Sequence, residues 1–164
     1  MRIVFLNIAL DTDEVRYEWT PPFGILSAAS VARSAGYEVG LAHLMTEPNY
    51  EFQLLNLCQG ADAIGFFFFT TPNLLAALQA SRLLHKKGYF IFWGGPHASL
   101  LPHVALSEPS VDAILRGEAE VNLLPFVEWL SGKRAKEKVP GLCFKDINGQ
   151  IHINDMPPLA TEEQ

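Results

Sequence analysis

The sequence predicts one α/β domain, a doubly wound parallel sheet with helices on both faces. Three observations carry that expectation. Apolar runs of strand length alternate five times with helix-like stretches, the order that right-handed parallel crossovers build into an open sheet. Most of the runs are nearly continuous in apolar residues, as strands buried on both faces must be. Four helical stretches are each followed by a glycine (Gly36, Gly60, Gly88 and Gly132) placed to end them.

Taken in order, residues 2–10 (RIVFLNIAL) form the first strand. Residues 11–22 are a polar loop closing on a double proline, and residues 23–35 are small, apolar and helical in pattern. A second strand follows over 37–44, then a helix over 49–59. The third strand, 61–69, is the most apolar, with four consecutive phenylalanines, Phe66 to Phe69. Pro72 fits the first position of the next helix, which runs to Lys87. The fourth strand, 89–93, leads into Gly94-Gly95-Pro96-His97, then a short helix near 101–106. A fifth strand over 111–115 turns through Arg116-Gly117-Glu118 into a last helix, 119–130. Residues 142–145 and 150–154 flank Asn148-Gly149, a hairpin signal. The expected sheet is flavodoxin-like, five parallel strands in the order 2-1-3-4-5, with the β-hairpin as a C-terminal extension. The expected organisation is an α/β domain over 1–132, a linker and hairpin over 133–155, and a linker over 156–164.

Composition bounds the partners. With 164 residues, 49% hydrophobic and 18% charged, the chain buries a real core. Its net charge of −6 gives no general footprint for nucleic acid or an anionic membrane. The longest apolar runs are strand length, far below the ~20 residues that a helical membrane span needs. No signal peptide is read at Met1, so a cytoplasmic location is expected. Two cysteines, Cys58 and Cys143, make neither a disulfide framework nor a sulfur-rich metal site. His43, His85, His103 and His152 stand singly, without a metal-ligand spacing.

In such sheets ligands lie beyond the carboxyl ends of the strands, where strand order reverses. The loops there run over 11–23, 70–73, 94–99 and 116–120. Gly94-Gly95 either lets a large flat ligand approach the backbone or simply turns a tight corner. His97 either meets that ligand or bonds to nearby backbone. Tyr17 and Trp19 either cap the ligand or cover the sheet end. Common tenants of the fold are excluded. The first loop carries Asp11-Thr12-Asp13-Glu14 where a dinucleotide or P-loop site needs glycines. Phe69-Thr70 stands where a phospho-acceptor Asp would, and no G-x-S-x-G elbow occurs.

Four motifs in order resemble the cobalamin-binding domain that precedes the catalytic barrel of B12-dependent radical SAM enzymes. They are Pro21-Pro22-Phe23-Gly24-Ile25-Leu26 with Ala35-Gly36-Tyr37-Glu38-Val39, Gly94-Gly95-Pro96-His97-Ala98-Ser99, Val111-Asp112 through Arg116-Gly117-Glu118-Ala119-Glu120, and Val139-Pro140-Gly141-Leu142. The resemblance implies a corrin ring over the carboxyl edge of the sheet, with its nucleotide tail entering between strands one and three. It assigns Gly94, Gly95, Pro96 and His97 to one side of that cofactor. Thr70, Thr71 and Pro72 line the other side, with Trp19, Pro22, Phe23 and Gly24 nearby and Arg116, Gly117 and Glu118 at the rim. The S-adenosylmethionine and the 4Fe-4S cluster would belong to a C-terminal radical SAM barrel, which this stretch of sequence does not contain.

Two departures from the family pattern matter. Where related cobalamin domains read D-x-H-x-x-G, this chain reads Trp19-Thr20-Pro21-Pro22-Phe23-Gly24, so Pro21 replaces the histidine that ligates cobalt. That implies a base-off cofactor without a protein ligand. A tail-lining Ser on strand three is replaced by Phe67, and overfilling a packed site costs about 1–3 kcal/mol. Alternation puts Phe67 and Phe69 on one face and Phe66 and Phe68 on the other. If Phe67 fills the tail pocket, the alternative is a non-catalytic interaction domain of the same fold that no longer binds cobalamin.

Overall fold

The structure is a computed structural model describing residues 1–9, 21–69, 71 and 73–161. Strands β1 (Arg2–Ala9), β2 (Glu38–Met45), β3 (Ala63–Phe67), β4 (Phe90–Gly94) and β5 (Ala113–Leu115) pair in parallel, in the order 2-1-3-4-5. Helices α1 (Phe23–Ser34), α2 (Tyr50–Cys58), α3 (Asn73–Lys86), α4 (Gly95–Leu100), α5 (Pro102–Ser107) and α6 (Ala119–Leu130) cover the two faces. The hairpin strands β6 (Leu142–Lys145) and β7 (Ile151–Ile153) continue the sheet. β6 pairs antiparallel with β5, giving seven strands where five were expected. The reason lies in β6 itself: Leu142, Cys143 and Phe144 are all buried, a run that only a sheet position covered on both faces accommodates.

Alternation along β1 divides the core. Ile3 and Phe5 face α1 and α6, in a cluster with Ile25, Ala28, Leu123 and Phe126. Val4, Leu6 and Ile8 face α2, α3, α4 and α5, in a cluster with Leu54, Ala80, Ala98 and Ala105. The phenylalanine run divides the same way. Phe66 and Phe68 join the α2/α3 side, and Phe67 joins the α1/α6 side. Phe69 is 67% exposed, because β3 ends at Phe67 and the chain has left the sheet.

One element differs from expectation in kind. The Gly94-Gly95-Pro96-His97 stretch is not a loop; α4 begins at Gly95, with Pro96 in its first turn. Proline is suited there because its missing N–H would have no intrahelical partner.

Candidate functional site at the carboxyl edge of the sheet

The parallel topology gathers the ends of β1, β3, β4 and β5 and the starts of α1, α4 and α6 at one edge. The order reverses between β1 and β3. Trp19, Thr70 and Pro72 lie outside the described residues, as does Tyr17. Thr71 is half-buried ahead of α3, and its carbonyl accepts the Leu74 N–H at 2.9 Å. Pro22 precedes α1, whose entry is fixed by the Phe23 N–H bonding to the Pro21 carbonyl at 2.8 Å.

Gly94 and Gly95 sit where β4 becomes α4. Gly95 has φ +84°, and a Cβ there would lie 2.9 Å from the Phe68 carbonyl oxygen. Close approach of two backbones therefore demands glycine. Gly94 is held by a side chain instead: a Cβ there would lie 2.7 Å from Cε1 of Phe67. Pro96 is exposed, whereas His97 is buried. The His97 ring lies 5.7 Å from the Phe68 ring, and the His97 backbone N–H donates to the Phe68 carbonyl at 3.5 Å. Burial pushes its imidazole below the usual histidine range, favouring the neutral ring.

The Arg116-Gly117-Glu118 turn is a structural hub. The Arg116 N–H donates to the Gly141 carbonyl at 2.9 Å, and its Nε donates to the Ser99 carbonyl at 3.2 Å. The Gly117 N–H reaches Ser99 Oγ at 3.4 Å. The Asn122 amide donates to the Arg116 carbonyl, leaving buried Asn122 Oδ1 without a partner among the described residues. Glu118 Oε2 accepts the Ala160 N–H at 2.6 Å, tying the exit segment to the rim. Ser27 on α1 donates to Glu120 on α6, joining the two helices beside the edge. Ser27, Ser99 and Asn122 escaped sequence reasoning. The only signal was a polar side chain on an otherwise apolar stripe of α6.

Three large apolar side chains are exposed on segments that follow strand ends at this edge. Phe23, Phe69 and Leu100 are 70%, 67% and 78% exposed. An open crevice of about 510 Å³ lined by Met1, Asp62, Phe90, Leu130 and Ser131 lies at the opposite, amino edge. Its carboxylate Asp62 is occupied by the Arg2 N–H at 2.7 Å. Among the described residues no group of three His, Cys, Asp or Glu side chains is placed to hold a metal. Cys58 and Cys143 are buried thiols pushed up to about 12 and about 11, chiefly by desolvation. No helix among the described residues is long and apolar enough to cross a membrane.

Known proteins share this arrangement. The B12 binding domain family matches residues 10–124. A cytidylyl-2-hydroxyethylphosphonate methyltransferase of Streptomyces wedmorensis is 26% identical over 87% of this chain and 30% of that protein. An uncharacterized methyltransferase of Pyrococcus horikoshii is 26% identical over 85% of this chain and 31% of that protein. The chain thus spans less than a third of the curated relatives it matches. The cobalamin-dependent S-adenosylmethionine radical enzyme OxsB, solved with aqua-cobalamin, aligns with a TM-score of 0.75 at 18% identity, over 96% of this chain and 22% of that one. The radical S-adenosylmethionine methyltransferase TsrM of Kitasatospora setae, solved with cobalamin and a [4Fe-4S] cluster, aligns at 0.72 and 14% identity, over 99% and 30%. These two structures share the fold.

Proposed function

The chain belongs to the B12 binding domain family, and from that membership we propose that it is the corrinoid-holding module of a larger radical SAM methyltransferase. The observation that carries this reading is the apolar carboxyl edge. Phe23 at the start of α1, Phe69 after β3 and Leu100 at the end of α4 are each exposed, on segments that follow the carboxyl ends of β1, β3 and β4. A corrin is a broad ring rimmed by amide side chains, and exposed apolar side chains beside backbone polar groups suit one face of it.

When bound, a corrinoid supplies a cobalt that can carry a methyl group. This chain's contribution is binding and orientation. The Gly94-Gly95 turn seats the β4–α4 junction against Phe67 and Phe68, where a Cβ on either glycine would clash. The turn Arg116-Gly117-Glu118 fixes the rim through Ser99 and Gly141. Buried His97 supports the α4 turn as a neutral ring. No imidazole is offered from the position that Pro21 occupies, which supports a base-off cofactor without a protein ligand. The 4Fe-4S cluster and S-adenosylmethionine are assigned to a C-terminal radical SAM barrel in the parent protein. The organisation follows as a holding domain over 1–132, a hairpin extension over 133–155 and a linker over 156–164, in the cytoplasm.

Mixing the chain with hydroxocobalamin or with cobinamide, desalting and recording a visible spectrum tests the reading. Retained corrinoid absorbance with at least one of them is expected; a colourless protein with both contradicts it. The second reading, an interaction domain of the same fold without corrinoid, draws its support from the Phe67 ring beside Gly94, and the colourless outcome is the result it predicts.

A further inference from the structure

Phe67 is the last residue of β3, at the strand-order reversal where a pendant ligand group would descend into the sheet. Its side chain is half-buried, packed against the core on the α1/α6 side of the sheet. The ring lies 6.0 Å from the Phe5 ring of β1 and 6.2 Å from the Phe92 ring of β4, centroid to centroid. The ring edge also takes the place that a Gly94 Cβ would need, and a Cβ on Gly24 at the start of α1 would lie 4.0 Å from Phe67 Cβ. One half-buried aromatic ring thus stands between β1, β4 and the entry to α1. A second aromatic group cannot take the same place unless the Phe67 ring moves out of it.

Cobalamin is a corrin disc with a nucleotide arm that ends in a two-ring base. The disc needs only the surface of the carboxyl edge; the arm needs a slot. We propose that Phe67 is the specificity-determining residue of the corrinoid site, closing the slot and selecting corrinoids with no pendant nucleotide base to seat. This inference rests on the corrinoid reading above and adds the ligand class to it. The preferred ligand lacks the arm, as cobinamide does, and a corrinoid that carries it binds more weakly because the base competes with Phe67 for the same place.

The test compares two ligands that share the corrin and differ in the arm. The chain is titrated with aquacobinamide and with hydroxocobalamin, following visible absorbance. The wild-type chain is expected to hold cobinamide more tightly by at least about tenfold, matching the cost of forcing a bulky group into a filled site. Phe67→Ser opens the slot and is expected to tighten hydroxocobalamin by about tenfold while cobinamide changes less than about twofold. Phe67→Leu, which keeps apolar contact with Phe5 and Phe92, should move the ratio the same way by less. Cobinamide binding doubles as the check that each variant is folded; if neither variant folds, the wild-type ratio decides alone. Equal or preferred binding of hydroxocobalamin by the wild-type chain overturns the inference and leaves the corrinoid reading standing. Binding of neither ligand overturns that reading, and the inference with it.

Discussion

His97 shows how burial writes a pH dependence into a single residue. Its ring is buried against Phe68, and desolvation disfavours the imidazolium. The folded chain takes up that proton at lower pH than the unfolded chain, whose reference value is 6.5. Stability from this source is therefore complete above pH 6.5 and falls as pH drops below it. Glu108 acts in a separate window. The Arg82 guanidinium and the Ser110 hydroxyl hold its carboxyl at about 2 instead of 4.5. Its contribution is lost only as pH falls from 4.5 toward 2. Denaturant midpoints at pH 7.5 and pH 5.0 should differ in the wild-type chain and differ less in His97→Gln; equal differences in both would contradict the assignment. The histidine was visible in the sequence, but its role was not. Only the β4–α4 geometry brings it under Phe68, a contact between residues far apart in the chain.

At the scale of elements, the strands and long helices were legible because their apolar period states them directly. The α4 helix was not. Two glycines and a proline are helix breakers by local preference, yet Gly95 is the residue whose positive φ opens the helix and Pro96 fits its first turn. The hairpin was legible from Asn148-Gly149, with Asp146 Oδ1 accepting the Asn148 and Gln150 N–H groups at 2.8 and 2.9 Å. Its pairing with β5 was not, since register between distant strands leaves no local mark. The join rests on Gly141, which has φ +70° and whose Cα faces the Arg116 carbonyl. Gly141→Ala adds both a strained backbone and a backbone clash, so a loss of about 1–3 kcal/mol is expected. Chemical denaturation reads this directly, and an unchanged midpoint would mean that the turn relaxes without involving Arg116.

For the whole molecule, the parallel order could be read from the sequence, and it alone located the edge where the proposed site lies. The resemblance named the ligand, and the family match over residues 10–124 agrees with it. What the sequence withheld is the surface itself. Phe69 was expected on the third strand in a run of four phenylalanines, and only the end of β3 at Phe67 shows that it stands outside the sheet. Likewise, the Arg116-Gly117-Glu118 segment read as a ligand rim, while the structure shows its hydrogen bonds turned inward to Ser99, Gly141 and the exit segment at Ala160. The central claim, that the carboxyl edge holds a corrinoid, has a direct measurement in amide chemical shifts of the nitrogen-15-labelled chain with and without cobinamide. Shifts concentrated at Phe23-Gly24, Gly94 to Ser99 and Arg116 to Glu118 are predicted. Shifts confined to the amino-edge crevice at Asp62 and Ser131, or no shifts at all, would contradict it.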